Sequence, residues 1–169
     1  MGDFSRKLIG RNVKAIRKVL GLSQLSFSIL TGISKASIIN IESGKKGYNL
    51  NLLDNIIAFS RYSLNDLSNP EFIPENDLRE LLTKIYKSHP TYFKILNHTP
   101  EIVYAIINKL LKDEFFDRPK EINNIKKYFE QFGWFYKGPS ISNALKRMPD
   151  LVEINKHPSK KNTNIYLKK

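Results

Sequence analysis

The chain has 169 residues, and 28 Lys and Arg against 16 Asp and Glu give it a formal net charge of +12 at pH 7. This length suits one ordinary domain or two small ones, and the charge favours a polyanionic partner, with nucleic acid ahead of an anionic membrane. The lack of Cys excludes disulfides, thiolate metal sites and a thiol nucleophile.

Hydrophobic patterning gives no sign of a membrane protein. No apolar run approaches the roughly 18 residues of a membrane span, and the N-terminus lacks the apolar core of a signal peptide. Lys outnumbers Arg, and Asn and Ile are frequent, as in proteins from AT-rich bacterial or phage genomes. We therefore expect a cytoplasmic, nucleoid-associated protein with no membrane partner.

Charge is distributed unevenly along the chain. Residues 1–70 carry a net charge of +6, residues 71–116 carry −1, and residues 117–169 carry +7. Two basic ends around a neutral middle favour two modules that face nucleic acid, joined by a helical linker or dimerisation segment. The alternative is that surface lysine is simply common in such genomes.

The first 70 residues are predicted to form a bundle of five short helices. Apolar residues at helical spacing predict a first helix that stops at Gly21. Ser23 and Ser34 are suited to cap the second and third helices, Gly32 makes the turn between them, and Gly44 ends the third. The predicted helices cover residues 8–20, 24–30, 35–43 and 50–59, with a fifth near residues 63–67.

The middle segment is also predicted to be helical. Pro70 and Pro74 mark a joint, and His89 before Pro90 breaks a helix because a residue preceding proline is pushed out of helical geometry. The helices predicted here cover residues 75–88, 91–97 and 100–112. Their apolar faces favour dimerisation or docking to another domain.

In the last segment the spacing of apolar residues changes from a helical pattern to the alternation of a strand. A helix is predicted over residues 119–132, with Gly133 at its end, and a second short helix is predicted to be capped by Ser140. Residues 150–156 alternate as a strand, with Val152 and Ile154 on one side. A basic loop and a returning strand at residues 165–169 follow, and this order of elements resembles a winged helix.

The third predicted helix has the properties of a DNA-recognition helix. Its inner face is formed by Ile38 and Ile41, which leaves short or polar side chains on the outer face. In a major groove Lys can donate to guanine, Asn can pair with adenine, and Ala can touch a thymine methyl group. The outer residues are Lys35, Ala36, Ser37 and Asn40.

Residues 9–67 resemble the Xre-type helix-turn-helix family of phage repressors and Cro proteins, without a gap. The matching positions are Arg17, residues 21–24, residues 32–34, Ile38, Ile41, Glu42, Gly44, Lys45 and residues 64–67. The resemblance implies base contacts by Lys35, Ala36 and Asn40. It implies that the wider DNA-binding set is Gln24, Ser34, Lys35, Ala36, Ser37, Asn40, Ser43, Lys45 and Lys46, in which Gln24 opens the preceding helix near phosphate.

The same resemblance implies an ion pair between Arg17 and Glu42, which would orient the recognition helix; the alternative is two ordinary surface charges. The chain departs from the family pattern in four places. Phe27 stands where Leu is usual, Ser28 where Ala is usual, Tyr48 where Pro is common, and Ser60 where an apolar residue is expected.

The winged-helix-like segment at residues 117–169 offers a second candidate nucleic-acid surface. Its expected contacts are Ser140, Ser142, Asn143, Lys146 and Arg147 on the helix, and Lys156, Lys160, Lys161 and Asn162 on the wing. The alternative is a basic helix and hairpin that bind a protein. Trp134 and the aromatic residues beside it are expected to pack in the core rather than to stack on single strands.

Catalytic and metal sites find no support in the sequence. His89, His98 and His157 lie far apart, without metal-ligand spacing, and no phosphate-binding loop, nucleophile elbow or close carboxylate pair stands out. We therefore expect no catalytic residue, no metal and no cofactor.

These observations predict a mainly α protein with an N-terminal five-helix repressor-like domain at 1–70, a helical segment at 71–116 and a winged helix at 117–169. We expect a transcriptional regulator, a repressor, that binds double-stranded DNA as a homodimer and is not an enzyme. Two alternatives stay open: an antitoxin-type regulator whose middle or C-terminal segment binds a toxin protein, and a nucleic-acid processing factor.

Overall fold

The structure is a computed structural model that describes residues 3–45 and 47–169. In these residues the chain is mainly helical, with a small antiparallel sheet near the C-terminus, which confirms the predicted mainly α class. It divides into two compact units, Met1–Asn97 and His98–Lys169, each with its own core.

Seven helices are described in the first unit. They are α1 Asp3–Val19, α2 Gln24–Thr31, α3 Lys35–Ser43, α4 Asn51–Ser60, α5 Leu64–Ser68, α6 Leu78–Ile85 and α7 Pro90–Asn97. The serines predicted as caps act as such: the side chains of Ser23 and Ser34 accept backbone N–H groups at the starts of α2 and α3. Ser63 forms a capping box with Asp66 at the start of α5.

The core of the first unit forms around α1. Val13 and Ile16 of this helix, and Leu20 just after its end, are fully buried and pack with Ile38 and Ile41 of α3. Buried apolar residues of α2, α4, α5, α6 and α7 belong to the same cluster. Helices α6 and α7 therefore extend the core of this unit beyond the segment that resembles the repressor family.

The second unit combines helices with a hairpin. Its elements are α8 Ile102–Asn108, two 3-10 turns at Leu110–Lys112 and Glu114–Asp117, α9 Ile122–Glu130, α10 Gly138–Lys146, β1 Val152–Lys156 and β2 Asn164–Lys168. Strands β1 and β2 are antiparallel, with Ile154 opposite Tyr166. Lys120 adds a third strand position, because its backbone exchanges hydrogen bonds with Tyr166 at 2.8 and 2.9 Å.

Two local expectations for the second unit are wrong. Ser140 does not cap α10, which starts earlier, with Lys137 as its N-cap and Pro139 in its first turn, where proline's missing N–H is no loss. The α8 helix is shorter than expected and continues as a 3-10 turn.

The predicted middle segment is shared between the two units. Residues 71–97 group with the first unit and residues 98–116 with the second. The division into three functional segments, and the role of the middle one in dimerisation, stay predictions.

Candidate nucleic-acid interface

The turn between α2 and α3 is compact. Gly32 has a left-handed backbone with φ of +66°, and its N–H donates to the carbonyl of Ser28. The hydroxyl of Ser34 then accepts the N–H of Ser37 at 3.1 Å and starts α3. This geometry ends one helix and begins the next within three residues.

Helix α3 has one buried side and one open side. Ile38 and Ile41 have no exposed surface, so they fix the helix to the core. Lys35 and Ala36 are exposed, and Ser37 and Asn40 are half-buried. Ile39, which the sequence analysis did not consider, is 42% exposed on the same helix.

A charged network locks the C-terminal half of α3 to α1. Arg17 binds Glu42 through two hydrogen bonds, Nε to Oε1 at 2.6 Å and Nη2 to Oε2 at 2.9 Å. The remaining Nη1 of Arg17 donates to the carbonyl of Leu22 at 2.9 Å. Only 12% of the Arg17 side chain and 4% of the Glu42 side chain are exposed, so water competes little for this pair.

Gln24 belongs to this network. Its side-chain amide donates to Oε2 of Glu42 at 3.0 Å, which connects the start of α2 to the ion pair. The sequence pointed to Gln24 as a phosphate contact and did not reveal this bond, because spacing along the chain does not show which side chain is nearest to a buried carboxylate. A phosphate contact by this amide would compete with the bond to Glu42.

The last residue of α3 and the chain that follows it carry further candidate contacts. The hydroxyl of Ser43 donates to the carbonyl of Asn40 at 3.0 Å and accepts the N–H of Lys45 at 3.4 Å. Lys45 is exposed, and Lys46 lies outside the described residues. Gly44 packs so closely on α1 that a Cβ there would lie 2.7 Å from the Cα of Lys7, which brings two basic residues of α1, Arg6 and Lys7, beside this end of α3.

Arg6 and Lys7 were not among the residues expected at this surface. They precede the segment that resembles the repressor family, and only the packing of α1 against α3 places them here. Basic character was their one signal in the sequence, and many lysines and arginines in this chain share it.

The second candidate surface lies along α10 and the hairpin. Ser140, Asn143, Lys146 and Arg147 are exposed on or just after α10. Ser142 is half-buried, and its hydroxyl is hydrogen-bonded to the hydroxyl of Tyr166 at 2.9 Å, so it ties the helix to β2.

Four exposed residues of the wing are Lys156, Lys160, Lys161 and Asn162. Lys160 pairs with Glu121, and the hydrogen bond from its Nζ lowers the pKa of that carboxyl. The ring of His157 also faces this carboxylate, with Nε2 3.4 Å from Oε1. One of the wing lysines is therefore held against the body of its unit.

Aromatic residues follow α9 in the second unit. Trp134 and Tyr136 pack against the core as expected. Phe135 is 71% exposed and Phe132 is 42% exposed, so the expectation that the whole group packs inside is wrong for these two rings.

The described part of the chain was expected to hold no metal site and no membrane span, and its side chains and helices bear on both. Within it, no three His, Asp or Glu side chains are grouped so that they could hold a metal ion. No helix in that part has both the length and the apolar character needed to cross a membrane.

Comparisons with known proteins identify no relative. No protein-family model, no curated protein and no solved structure matches this chain.

Proposed function

We propose that this protein is a sequence-specific regulator of transcription that binds double-stranded DNA and inserts α3 into the major groove. One observation carries the proposal: α3 is anchored from behind by Ile38, Ile41 and the buried carboxylate of Glu42, while Lys35 and Ala36 are exposed. A helix that enters a groove needs a fixed rear face and a free front face. The likeness to the Xre-type family is part of this proposal.

The chemistry of the front face supports base recognition. Lys35 can donate to the O6 and N7 atoms of guanine, and the Asn40 amide can pair with adenine. Ala36 is small enough to let the backbone approach and can touch a thymine methyl group. The Ser43 hydroxyl lies on the last residue of the helix and Lys45 lies just past its end, where phosphate contacts would fix the register.

The second unit is proposed to be a winged helix that makes an additional DNA contact. Its order of helix, single strand position at Lys120, two helices and antiparallel hairpin supports this assignment. The exposed residues Asn143 and Lys146 on α10, Arg147 just after it and Lys161 on the wing supply donors for phosphates or base edges.

The regulator is proposed to bind as a homodimer and to repress by occupying its site. Two copies of α3 would enter successive major grooves, about 34 Å apart, so the operator is expected to be an inverted repeat. In this proposal the protein acts by binding and not by catalysis.

The proposal is tested by measuring binding to an operator and to all its single-base variants, with the operator first selected from random DNA. Lys35→Ala and Asn40→Ala are expected to relax discrimination by about 1–3 kcal/mol at one position each. Lys45→Ala is expected to weaken all sites equally and to flatten the salt dependence. Lys18→Ala, an exposed lysine on α1, is the matched control.

Uniform weak binding of the unmodified protein to every sequence would contradict the proposal. Unchanged discrimination in both the Lys35 and the Asn40 variants, with folding intact, would contradict the roles of these two residues.

A further inference from the structure

Two buried polar groups near the end of α3 lack a hydrogen-bond partner in the part of the chain that the structure describes. The Nε atom of Arg6 and the hydroxyl of Tyr48 are shielded from solvent, and neither has a hydrogen-bond partner among the described residues. An unsatisfied buried donor destabilises the folded state, so native structures rarely keep two without a reason.

The two groups are neighbours, although they come from different elements. Gly44 rests on the backbone of Lys7, so the chain that follows α3 runs past the first turns of α1. A Cβ placed on Gly47 would lie 3.6 Å from Nη1 of Arg6, which puts the guanidinium against this loop. Burial raises the pKa of the Tyr48 hydroxyl, and the positive charge of Arg6 partly opposes this rise. The hydroxyl therefore stays protonated and can donate.

An anionic oxygen would satisfy both groups. Guanidinium and phenol are donors, and a phosphate oxygen accepts several hydrogen bonds at once. Both side chains are half-buried, so each reaches the surface in part, and rotation of the side chains can turn their donors outward. Lys45, exposed at the same end of α3, adds positive charge there.

We propose that Arg6 and Tyr48 together bind a backbone phosphate of the DNA duplex, beside the end of α3. This inference rests on the proposed function, and it adds a contact from α1 that extends the bound duplex beyond the bases that α3 meets. Tyr48 stands where proline is common in the Xre-type family, so the contact is a feature of this chain.

Three variants of the full chain test the contact on a selected operator and on unrelated DNA, across a series of salt concentrations. Arg6→Gln is expected to weaken binding to both DNAs about tenfold and to lower the salt slope by about one. Arg6→Lys keeps the charge and is expected to keep the slope while losing part of the affinity. Tyr48→Phe removes only the hydroxyl and is expected to lose about threefold in affinity at an unchanged slope.

The control is Lys18→Gln, which removes one positive charge from an exposed position on the same helix. Thermal unfolding of each variant separates binding from stability, since removal of an unpaired hydroxyl in Tyr48→Phe should not destabilise the fold. A tyrosine that only packs would give wild-type affinity in Tyr48→Phe, and this result would overturn its role. Equal losses in Lys18→Gln and Arg6→Gln would overturn the role of Arg6.

The sequence preference of the wild-type protein distinguishes a failure of the phosphate contact from a failure of the proposed function. If it prefers an operator while Arg6→Gln and Tyr48→Phe behave as Lys18→Gln does, only the phosphate contact fails. If it shows no sequence preference at all, the proposed function fails, and the losses measured on unrelated DNA still decide whether Arg6 and Tyr48 contact phosphate.

Discussion

Ser60 is a buried residue at the end of α4 whose hydroxyl has no hydrogen-bond partner among the described residues. The family pattern expects an apolar side chain at this position, and only 1% of the residue is exposed. Ser28, on α2, is a useful comparison because it is 8% exposed and its hydroxyl donates to the carbonyl of Leu25 at 2.8 Å. The two serines share a buried setting and differ in whether the hydroxyl is satisfied.

Ser60→Ala is expected to raise the free energy of unfolding by about 1 kcal/mol, because it removes an unsatisfied buried polar group. Ser28→Ala is the control. Both substitutions replace a helical serine with alanine, but only Ser28→Ala breaks a hydrogen bond. Urea unfolding followed by circular dichroism measures both. Equal free energies of unfolding for the two variants would show that the Ser60 hydroxyl does have a partner.

Single residues also show what a sequence can and cannot predict. The Arg17–Glu42 pair was expected because the resembling family supplies both positions. The bond from Gln24 to Glu42 was not expected, and neither were the buried atoms of Arg6 and Tyr48 that lack a partner within the described ranges 3–45 and 47–169. They depend on distances between side chains of separate elements, and the hydrophobic periodicity of the sequence does not predict such distances.

At the scale of elements, the crossing of α1 and α3 is unusually close. A Cβ on Gly10 would lie 2.2 Å from the carbonyl oxygen of Ile41, far inside the contact distance of real atoms. Glycine at this position lets the backbones of the two helices touch. The crossing in turn sets the direction in which Lys35 and Ala36 point.

Gly10→Ala is therefore expected to lower the free energy of unfolding by about 1–3 kcal/mol, as overpacked cores do. Without α3, the same change would stabilise the helix by about 1 kcal/mol, so the sign of the effect is informative. Lys14→Ala, at an exposed position on α1, serves as the control, and denaturant unfolding is the measurement. A stabilised Gly10→Ala variant would mean that α1 and α3 lie far enough apart to accept a Cβ at Gly10.

Element types were easier to predict than element ends. Ser23, Ser34, Gly32 and Gly44 act through local hydrogen bonds and backbone angles, which depend on neighbouring residues only, and the structure has all four at helix ends. The start of α10 was misjudged because Ser140 and Pro139 are both good starting signals, and tertiary packing decided between them.

At the scale of the whole molecule, the two units have hydrophobic cores that share no residue among those described. Leu53 belongs to the first core and Leu145 to the second, and both are buried. The one Trp in the chain, Trp134, lies in the second unit, with its ring centroid 5.4 Å from that of Phe132. Its fluorescence therefore reports on the second unit alone.

Leu53→Ala is expected to lower the unfolding midpoint seen by far-ultraviolet circular dichroism and to leave the midpoint seen by Trp fluorescence unchanged. Leu145→Ala is expected to lower the fluorescence midpoint, and each substitution should cost its own unit about 2–5 kcal/mol. Thermal scans with both probes on the full chain decide this. Midpoints that move together in both variants would mean that the chain unfolds as one cooperative body.

Charge along the chain predicted two basic ends but not where the structure divides. Division into units depends on which apolar residues share a core, and residues 98–116 pack with the C-terminal part through Ala105, Ile106 and Leu110. Their near-neutral charge carried no information about this packing.

The anchoring of α3 from behind has a consequence for how such a protein can diverge. Ile38, Ile41 and Glu42 hold the helix without help from Lys35 or Ala36, so substitutions at these two exposed positions leave the anchor intact. Under the proposed function, duplicated copies of the gene can therefore acquire new target sites by changing a few surface codons, while selection for folding acts on a separate set of positions.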